Sequence, residues 1–357
     1  MKIRYRYYAL IALMCAGAIK VSARNEALKE NENAFFETEE ARRVGDQLLM
    51  FQRNTGGWPK NTEMCRPLSE EQKAKVIADK DRRDDSTIDN NATITQLRYI
   101  ARLYQATGNS VYKDSFEKGI RFLLSGQYAD GGWPQFWPDM RGYQIHITYN
   151  DNAMYNVLDL FRRILKGETA YGNGLLDKEL SDSVRASFDK GIECILATQI
   201  RVGGKPTVWC QQHDRETYAP AKARSYELPS FCSAESAGLV RLLMRIPDPD
   251  ERIKASVNGA MEWFEEHKLT GIRVERIGEK GEPGCDTRVV ADKNAGPIWA
   301  RYYDLESHRP FFCDRDGVPR ERLSDIGEER RNGYGWYSDN PAALYPLYDD
   351  WKRKYCD

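Results

Sequence analysis

A Gly-Gly loop that occurs three times constrains the fold of this chain most. "QRNTGGWPKN" at 52–61 returns as "QYADGGWPQFWP" at 127–138 and, more loosely, as "QIRVGGKPTVWCQQ" at 199–212. Each copy follows a helical stretch and precedes another, which gives a repeat of about 70 residues with two helices per unit. Gly-Gly lets the chain leave a helix through positive φ, while Trp and Pro hold the loop against a neighbouring helix end. The repeat therefore predicts a ring of helical hairpins.

Apolar residues recur with helical spacing through most of the chain after residue 34. Alternating patterns typical of strands are few and short. The predicted fold class is mainly α, an (α/α)₃ toroid of helical hairpins with a few short β-strands. The main helical stretches are 39–54, 92–108, 110–127, 152–167, 181–199, 233–246, 253–269 and 342–355.

The composition is that of a globular protein, with 357 residues, 30% charged and 41% hydrophobic. No linker-like segment divides the chain, so we expect one catalytic domain from 36 to 357, preceded by a flexible, solvated leader at 24–35. Lys and Arg number 53 against 54 for Asp and Glu, a formal net charge of -1. No global basic field is available to bind nucleic acid, and we expect a monomer without a nucleic-acid partner.

The first 23 residues have the organisation of a secretory signal peptide. Three cations among the first six residues precede an apolar run, and Val-Ser-Ala at 21–23 offers a cleavage position after Ala23. The apolar run is shorter than the roughly 20 residues that a membrane span requires. We therefore expect export to the periplasm or the medium, with lipoprotein anchoring through Cys15 as the weaker alternative and no membrane span.

Two helices begin with Asp and Asn next to Gly-Gly loops. "TIDNNATITQLRYIARLY" at 87–104 can be laid on "TYNDNAMYNVLDLFRRIL" at 148–165, so that Asp89-Asn90 falls on Asp151-Asn152. Either pair alone would be interpreted as a helix N-cap, since Asp and Asn side chains accept hydrogen bonds from free backbone N–H groups. In equivalent positions of a ring, however, the two pairs would meet at one rim, which suggests a binding site.

A second group of polar residues is cationic. It falls in "PAKARSYELPS" at 219–230 and in "WARYYDLESHRPFFCDRDGV" at 299–318. Carboxylates on two repeats and cations beyond the third predict a cleft of mixed charge. Such a cleft suits an anionic sugar chain with a divalent cation, because Arg forks match carboxylates and Ca²⁺ bridges carboxylates. The cationic candidates are Lys222, Arg224, Arg301 and Arg315.

The motifs together resemble the pectate lyases of polysaccharide lyase family ten. They are "TIDNNATITQLRYIA", "DGGWPQFWP", "YNDNAM", "CQQHD" with "PAKARSYELPS", and "WARYYDLES" with "RDGV", in order between about residues 36 and 347. The resemblance implies an (α/α)₃ toroid that cleaves α-1,4-linked polygalacturonate by Ca²⁺-assisted β-elimination and releases 4,5-unsaturated oligogalacturonides.

The same resemblance implies a role for each candidate. Asp151 of "YNDNAM" resembles the main Ca²⁺ ligand, and Asp89 of "TIDNN", followed by Asn90, lies at the metal and substrate subsite. Arg224 resembles the catalytic base. The substrate-binding candidates are Asp89, Asn90, Lys222, Arg301 and Arg315.

An arginine is an unusual base, because the free guanidinium has a pKa above about 12. Ca²⁺ and the neighbouring cations would disfavour a further positive charge and lower the pKa of Arg224. The sequence leaves open whether Arg224 accepts the proton or stabilises the developing charge.

Two further functions stay open. An α/α-toroid glycoside hydrolase acting on uronate-containing glycans would use Asp89 and Asp151 as acid and base. A non-catalytic protein that binds acidic glycans would need the aromatic residues but not Arg224.

Overall fold

The computed structural model describes residues 25–172, 174–279 and 281–356. Each of the eight stretches with helical spacing contains an α-helix, so the periodicity located the main helices correctly. Three shorter helices, α1, α3 and α10, were not predicted. The α-helices are α1 Asn33–Phe36, α2 Glu39–Phe51, α3 Glu70–Ala78, α4 Ile94–Thr107, α5 Ser110–Ser125, α6 Ala153–Leu165, α7 Lys178–Thr198, α8 Ser233–Leu243, α9 Glu251–His267, α10 Glu328–Gly333 and α11 Tyr345–Tyr355.

The strands form two-stranded antiparallel pairs. Most have only two residues, as predicted, but β6 and β7 form a six-residue hairpin with Ile272 opposite Ala291. The remaining pairs are β1 with β4, β2 with β3, β5 with β9, β8 with β12 and β10 with β11. The strands are β1 Ile147–Thr148, β2 Arg201–Val202, β3 Lys205–Pro206, β4 Gln212–His213, β5 Phe231–Cys232, β6 Ile272–Ile277, β7 Asp286–Ala291, β8 Trp299–Ala300, β9 Tyr302–Tyr303, β10 Phe312–Cys313, β11 Pro319–Arg320 and β12 Tyr337–Ser338.

The glutamine that opens each Gly-Gly loop bonds to a serine of a later helix, which is α5, α7 or α9. In the first copy, Gln52 Nε2 donates to Gly56 O at 2.9 Å and to Ser115 O at 3.0 Å, and Ser115 Oγ donates to Gln52 Oε1 at 2.8 Å. Buried amides must find partners, so the glutamine closes the loop and ties it to a helix at once. The three pairs are Gln52 with Ser115, Gln127 with Ser187, and Gln199 with Ser256.

The loop tryptophans secure the helix ends that precede them. Trp58 Nε1 donates to Leu48 O at 2.8 Å, and Trp209 Nε1 donates to Ile195 O at 2.7 Å. The first loop glycine has φ 101° at Gly56. Both features agree with the roles predicted for Gly-Gly and Trp. Trp299 Nε1 likewise donates to Phe264 O, near the end of α9, at 2.9 Å. Trp299 therefore belongs to a fourth loop of this kind, which the alignment of the three repeats did not include.

One end of the segment predicted as a solvated leader contacts other residues of the chain. Residues 26–29 form a 3₁₀ turn whose Leu28 is buried. Asn25 Nδ2 donates to Thr62 O at 2.9 Å, and Asn25 Oδ1 accepts from the Met64 N–H at 3.0 Å. These contacts anchor one end of the segment, and the flexible leader from 24 to 35 stays a prediction. The predicted signal peptide, including Cys15 and Ala23, lies outside the described residues.

The described chain divides into two compact units. Unit 1 comprises the residues up to Gln127, with Pro134–Met140 and Asn156–Phe188. Unit 2 comprises Tyr128–Trp133, Arg141–Tyr155 and Asp189 onward. The proposal of one catalytic domain from 36 to 357 stays a prediction.

Each unit has its own apolar core. In unit 1, side chains of α2, α4 and α5 are fully buried, among them Val44, Leu97 and Ile120. Unit 2 contains a largely aromatic cluster that lies beneath the arginine-bearing loops. Its buried members are Tyr226, Cys232, Tyr302, Phe311, Phe312, Cys313, Leu323, Ile326 and Trp336.

Two further observations concern membranes and disulfides. None of the helices in the described part of the chain combines the length and the apolar character needed to cross a bilayer. The seven cysteines among the described residues are all free thiols.

Candidate active site

Both Asp/Asn stretches form 3₁₀ turns before a helix, at Asp89–Asn91 and Asn150–Asn152. Two consecutive residues in each turn have left-handed backbone conformations, which Asn and Asp adopt more readily than other residues with a side chain. Asp and Asn therefore occur in these turns partly because they tolerate the left-handed backbone conformation. The φ values are 51° at Asn90, 61° at Asn91, 51° at Asp151 and 58° at Asn152.

The two turns match position by position when "TIDNNA" at 87–92 is laid on "TYNDNA" at 148–153. In both, the threonine N–H donates to a loop tryptophan carbonyl, at 3.3 Å for Thr87 and 3.0 Å for Thr148. The left-handed residues then coincide. Asp89 is thus equivalent to Asn150, and Asp151 to Asn90. The sequence alignment was one residue out of register, because it matched the Asp-Asn letters rather than the backbone.

Asp89 is buried in unit 1 and pairs with a lysine. Lys60 Nζ donates to Asp89 Oδ2, and the Asp89 N–H donates to Thr87 Oγ1 at 3.0 Å. The Lys60 ammonium also lies 5.2 Å from the centre of the Phe136 ring. Asp89 Oδ1 is buried and has no hydrogen-bond partner among the described residues. One oxygen of this carboxylate is therefore available to a ligand.

Asp151 lies in unit 2 and is more open, with its side chain 41% exposed. Asn150 Nδ2 donates to Asp151 Oδ2 at 3.2 Å. Arg301 Nη2 lies 3.8 Å from Asp151 Oδ1 and donates to Asn150 Oδ1 at 3.1 Å. The structure thus brings two predicted residues, Asp151 and Arg301, into one cluster.

Arg301 is itself buried and is held by Glu235, which accepts from Arg301 Nη2. Burial opposes the charged guanidinium, but the charge of Glu235 outweighs it and raises the pKa of Arg301 well above its usual value. Arg301 is consequently a permanent cation.

Arg224 forms a two-point ion pair with Glu227. Arg224 Nε donates to Glu227 Oε2 at 2.7 Å, and Nη2 donates to Oε1. Burial favours the neutral guanidine, but the hydrogen bonds and charge of Glu227 prevail and raise the pKa of Arg224. This is opposite to the predicted lowering, because that prediction considered the neighbouring cations and overlooked the glutamate three residues away.

Two tyrosines extend this network. Tyr334 OH donates to Glu227 Oε1 at 2.8 Å and lies 2.5 Å from Tyr302 OH. The Tyr334 ring has the Arg301 guanidinium 4.7 Å from its centre and the Arg224 guanidinium at 5.7 Å. The two arginines therefore lie against one aromatic ring, at distances typical of cation–π contacts.

Further arginines surround the neighbouring ring of Tyr226. Arg224 lies 5.1 Å and Arg315 5.9 Å from its centre. Arg315 is 62% exposed and pairs with Glu329, with Nε 3.0 Å from Oε2. Burial raises the pKa of the Glu329 carboxyl, but hydrogen bonds from Arg330 and Arg315 lower it to about 2. Lys222 makes no ion pair with the residues that the structure describes.

The loops that carry Arg224 and Arg315 follow two copies of one turn. Asp214 Oδ1 accepts from the Thr217 N–H at 2.9 Å, and Asp304 Oδ1 accepts from the Ser307 N–H at 2.7 Å. A left-handed residue follows in each, His308 in the second, with φ 58°. These turns fix where the arginine loops depart from the fold, and "HDRETYAP" and "YDLESHRP" were the sequence signal for them.

The donors near the helix starts fit a hard cation such as Ca²⁺. They are carboxylate and amide oxygens, which Ca²⁺ prefers. Asn152 Oδ1 and Asp89 Oδ1 are buried and have no hydrogen-bond partner within the described ranges. Among those same ranges, no group of three or more His, Cys, Asp or Glu could form a metal cage. Each of the two helix starts thus presents one buried oxygen of a kind that Ca²⁺ accepts.

Several residues of these clusters were not predicted as site residues. Lys60 pairs with Asp89, Glu235 with Arg301, and Glu227 with Arg224. Glu227 follows Arg224 at the spacing of an i, i+3 pair, and this is the only one of the three for which the sequence carried a local signal.

Comparison with known proteins identifies the family. The pectic acid lyase family matches residues 52–345. The family 10 polysaccharide lyase from Cellvibrio cellulosa superposes with a TM-score of 0.77 at 30% identity, covering 89% of this chain and 94% of that one. An aspartate-to-alanine mutant of the Cellvibrio enzyme, in complex with trigalacturonic acid, gives a TM-score of 0.78 at 29% identity, covering 94% and 98%.

Among curated protein sequences, none matches the chain. The structural matches confirm the predicted fold class, since they extend over most of both chains and the described residues are mainly helical with short strands. The match over 52–345 confirms the resemblance noted from the motifs. The chain belongs to the pectic acid lyase family.

Proposed function

We propose that the protein is an exported pectate lyase that cleaves α-1,4-linked polygalacturonate by Ca²⁺-assisted β-elimination and releases 4,5-unsaturated oligogalacturonides. The observation that carries the proposal is the position of Arg224 and Arg301 against the Tyr334 ring, with Asp151 beside Arg301. Two arginines next to a half-exposed carboxylate suit a substrate with a carboxylate on every sugar. The complex of the Cellvibrio enzyme with trigalacturonic acid supports the same substrate class.

The residues divide between binding and chemistry. Arg301 and Arg315, with Lys222, bind sugar carboxylates, while Asp89 and Asn90 contribute to substrate placement. Asp151 and Asp89 would hold Ca²⁺, with the Asn152 amide oxygen available as a further donor. When bound, Ca²⁺ withdraws charge from the C6 carboxylate and so stabilises the negative charge that develops after loss of the C5 proton.

Arg224 acts at the C5 carbon. In the elimination, the C5–H bond breaks and its electrons form the C4–C5 double bond, while the C4–O4 bond breaks and O4 leaves, to be protonated by water. We propose that Arg224 accepts the C5 proton and that, after transfer, its guanidinium stabilises the charge on the sugar. Because Glu227 raises its pKa, the neutral form of Arg224 is a minor species at neutral pH.

The reaction class is tested by the mass of the products from polygalacturonate. Elimination yields oligogalacturonides one water lighter than those of hydrolysis, with a double bond at the new non-reducing end. Unsaturated products are expected. Saturated products only would show a hydrolase, and unchanged polymer with measurable binding would show a glycan-binding protein. Export after cleavage near Ala23, a monomeric state and a single catalytic domain belong to the same proposal.

A further inference from the structure

We propose that Glu227 and Tyr334 are positioning residues that determine which nitrogen of Arg224 faces the substrate. The proposal rests on the proposed function, because it assigns the supports of the residue that acts at C5. Two nitrogens of the Arg224 guanidinium donate to Glu227. Nε donates to Oε2 at 2.7 Å, and Nη2 donates to Oε1. Nη1 donates to none of the residues that the structure describes, although the Arg224 side chain is 41% exposed. Nη1 is therefore the nitrogen available to a ligand.

The Glu227 carboxylate is itself immobilised. Its side chain is 1% exposed, and Oε2 also accepts from the Arg224 N–H at 3.0 Å. Tyr334 OH donates to Oε1 at 2.8 Å and contacts Tyr302 OH, which in turn donates to Gln211 Oε1. Because both oxygens of the Glu227 carboxylate are hydrogen-bonded within a buried network, the carboxylate has one orientation. Its two hydrogen bonds then fix the orientation of the Arg224 guanidinium.

Tyr334 also fixes the spacing between the two arginines. Its ring lies 4.7 Å from the Arg301 guanidinium and 5.7 Å from that of Arg224. The Tyr334 ring thus sets the distance between Arg301, which is proposed to bind the sugar carboxylate, and Arg224, which is proposed to act at C5. A displacement of about 1 Å at a reacting group can lower a rate by roughly 10²-fold, so that such spacing matters for turnover rather than for affinity.

Another part of the molecule supplies a matched control. In unit 1, Arg163 Nε donates to Glu168 Oε2 at 2.7 Å, and the Arg163 guanidinium lies 5.2 Å from the Tyr171 ring centre. This Arg–Glu–Tyr arrangement resembles that of Arg224 but includes none of the candidate site residues. Glu168→Gln therefore reports what the loss of such an ion pair does by itself.

The experiment is a double-mutant cycle on polygalacturonate, with kcat, KM and melting temperature measured for each variant. Glu227→Gln also removes the charge that raises the pKa of Arg224, which by itself would raise kcat. Misplacement of the guanidinium should outweigh this effect and lower kcat by about tenfold or more, with KM changed by less than about threefold because the binding contacts remain. Arg224→Ala combined with Glu227→Gln should have the kcat of Arg224→Ala alone, because Glu227 acts only through Arg224. Tyr334→Phe should lower kcat to a smaller extent, and Glu168→Gln should keep the wild-type kcat.

A folded Glu227→Gln variant with wild-type kcat would overturn the proposal, and so would multiplicative effects in the double variant. If Glu227→Gln fails to fold, Tyr334→Phe decides: a wild-type kcat overturns the proposal and a lowered kcat supports it. The proposed function fails separately, when the wild-type protein yields no unsaturated product.

Discussion

The Arg224 guanidinium and the buried Glu227 carboxylate form two parallel hydrogen bonds, one of them 2.7 Å from Nε to Oε2. This geometry is that of a strong charge-assisted interaction. It keeps Arg224 protonated, so a reaction that needs the neutral guanidine must proceed through a small fraction of the protein.

The first prediction concerns pH. A base accepts a proton only in its neutral form, and Glu227 raises the pKa of Arg224 above its ordinary value. Throughout the range below that pKa, each pH unit increases the neutral fraction about tenfold. We expect kcat/KM to rise with pH through the neutral and alkaline range, with no plateau before the protein unfolds. A profile of kcat/KM that is flat from neutral pH upward would instead show that Arg224 acts as a charged stabiliser.

The second prediction separates the charge of Asp151 from its backbone conformation. Asp151 has φ 51°, which Asn tolerates nearly as well as Asp. Asp151→Asn should lose most of kcat and require more Ca²⁺ for half-maximal activity, with the free energy of unfolding changed by less than about 0.5 kcal/mol. Asp151→Ala should additionally lose roughly 1 kcal/mol, because alanine is strained in the left-handed region. Kinetics at graded Ca²⁺ and urea unfolding provide both readouts, and a fully active Asp151→Asn would remove Asp151 from the metal site.

The sequence located the main helices because helical burial leaves a 3.6-residue apolar pattern, and eight stretches carry it clearly. It also identified the Gly-Gly-Trp loops, whose glycines and tryptophans have the predicted roles. The short helix Glu70–Ala78 was missed because none of its residues is buried, so it has no apolar stripe to detect.

The site was less accessible from sequence. The one-residue shift between Asp89 and Asp151 depends on backbone conformation, which the repeated letters Asp-Asn do not report. The partnership of Glu235 with Arg301 joins residues 66 positions apart and follows only from the folded chain. The motifs supplied the candidate cations, whereas the carboxylates that raise the pKa of Arg224 and Arg301 came from the structure.

The third prediction concerns stability. Arg301 and Glu235 form a buried ion pair, with side chains 10% and 5% exposed. Arg301→Met leaves a buried carboxylate without its cation and should lower the free energy of unfolding by about 3–5 kcal/mol. Replacing both residues with methionine should recover much of that loss. Chemical unfolding of the three proteins tests this, and an unchanged free energy for Arg301→Met would contradict the pairing.

The fourth prediction concerns the charge of the substrate. Methyl esterification removes the carboxylate charge that Arg301, Arg315 and Ca²⁺ are proposed to hold. Each lost charge-assisted hydrogen bond weakens binding by roughly 1.5–3 kcal/mol. Initial rates on polygalacturonate should therefore exceed those on highly methylated pectin by at least about tenfold. Equal rates on the two polymers would show that the arginines do not recognise the sugar carboxylates.

The most direct test of the account is the near-ultraviolet absorbance of the unsaturated product, followed during incubation with polygalacturonate. We expect absorbance to rise with Ca²⁺ present, to stop when excess chelator is added, and to resume when Ca²⁺ is restored, because the protein donors alone cannot complete the charge compensation of the C6 carboxylate. A rise that continues at full rate in excess chelator would contradict the role of Ca²⁺. Depolymerisation without any rise in absorbance would contradict β-elimination itself.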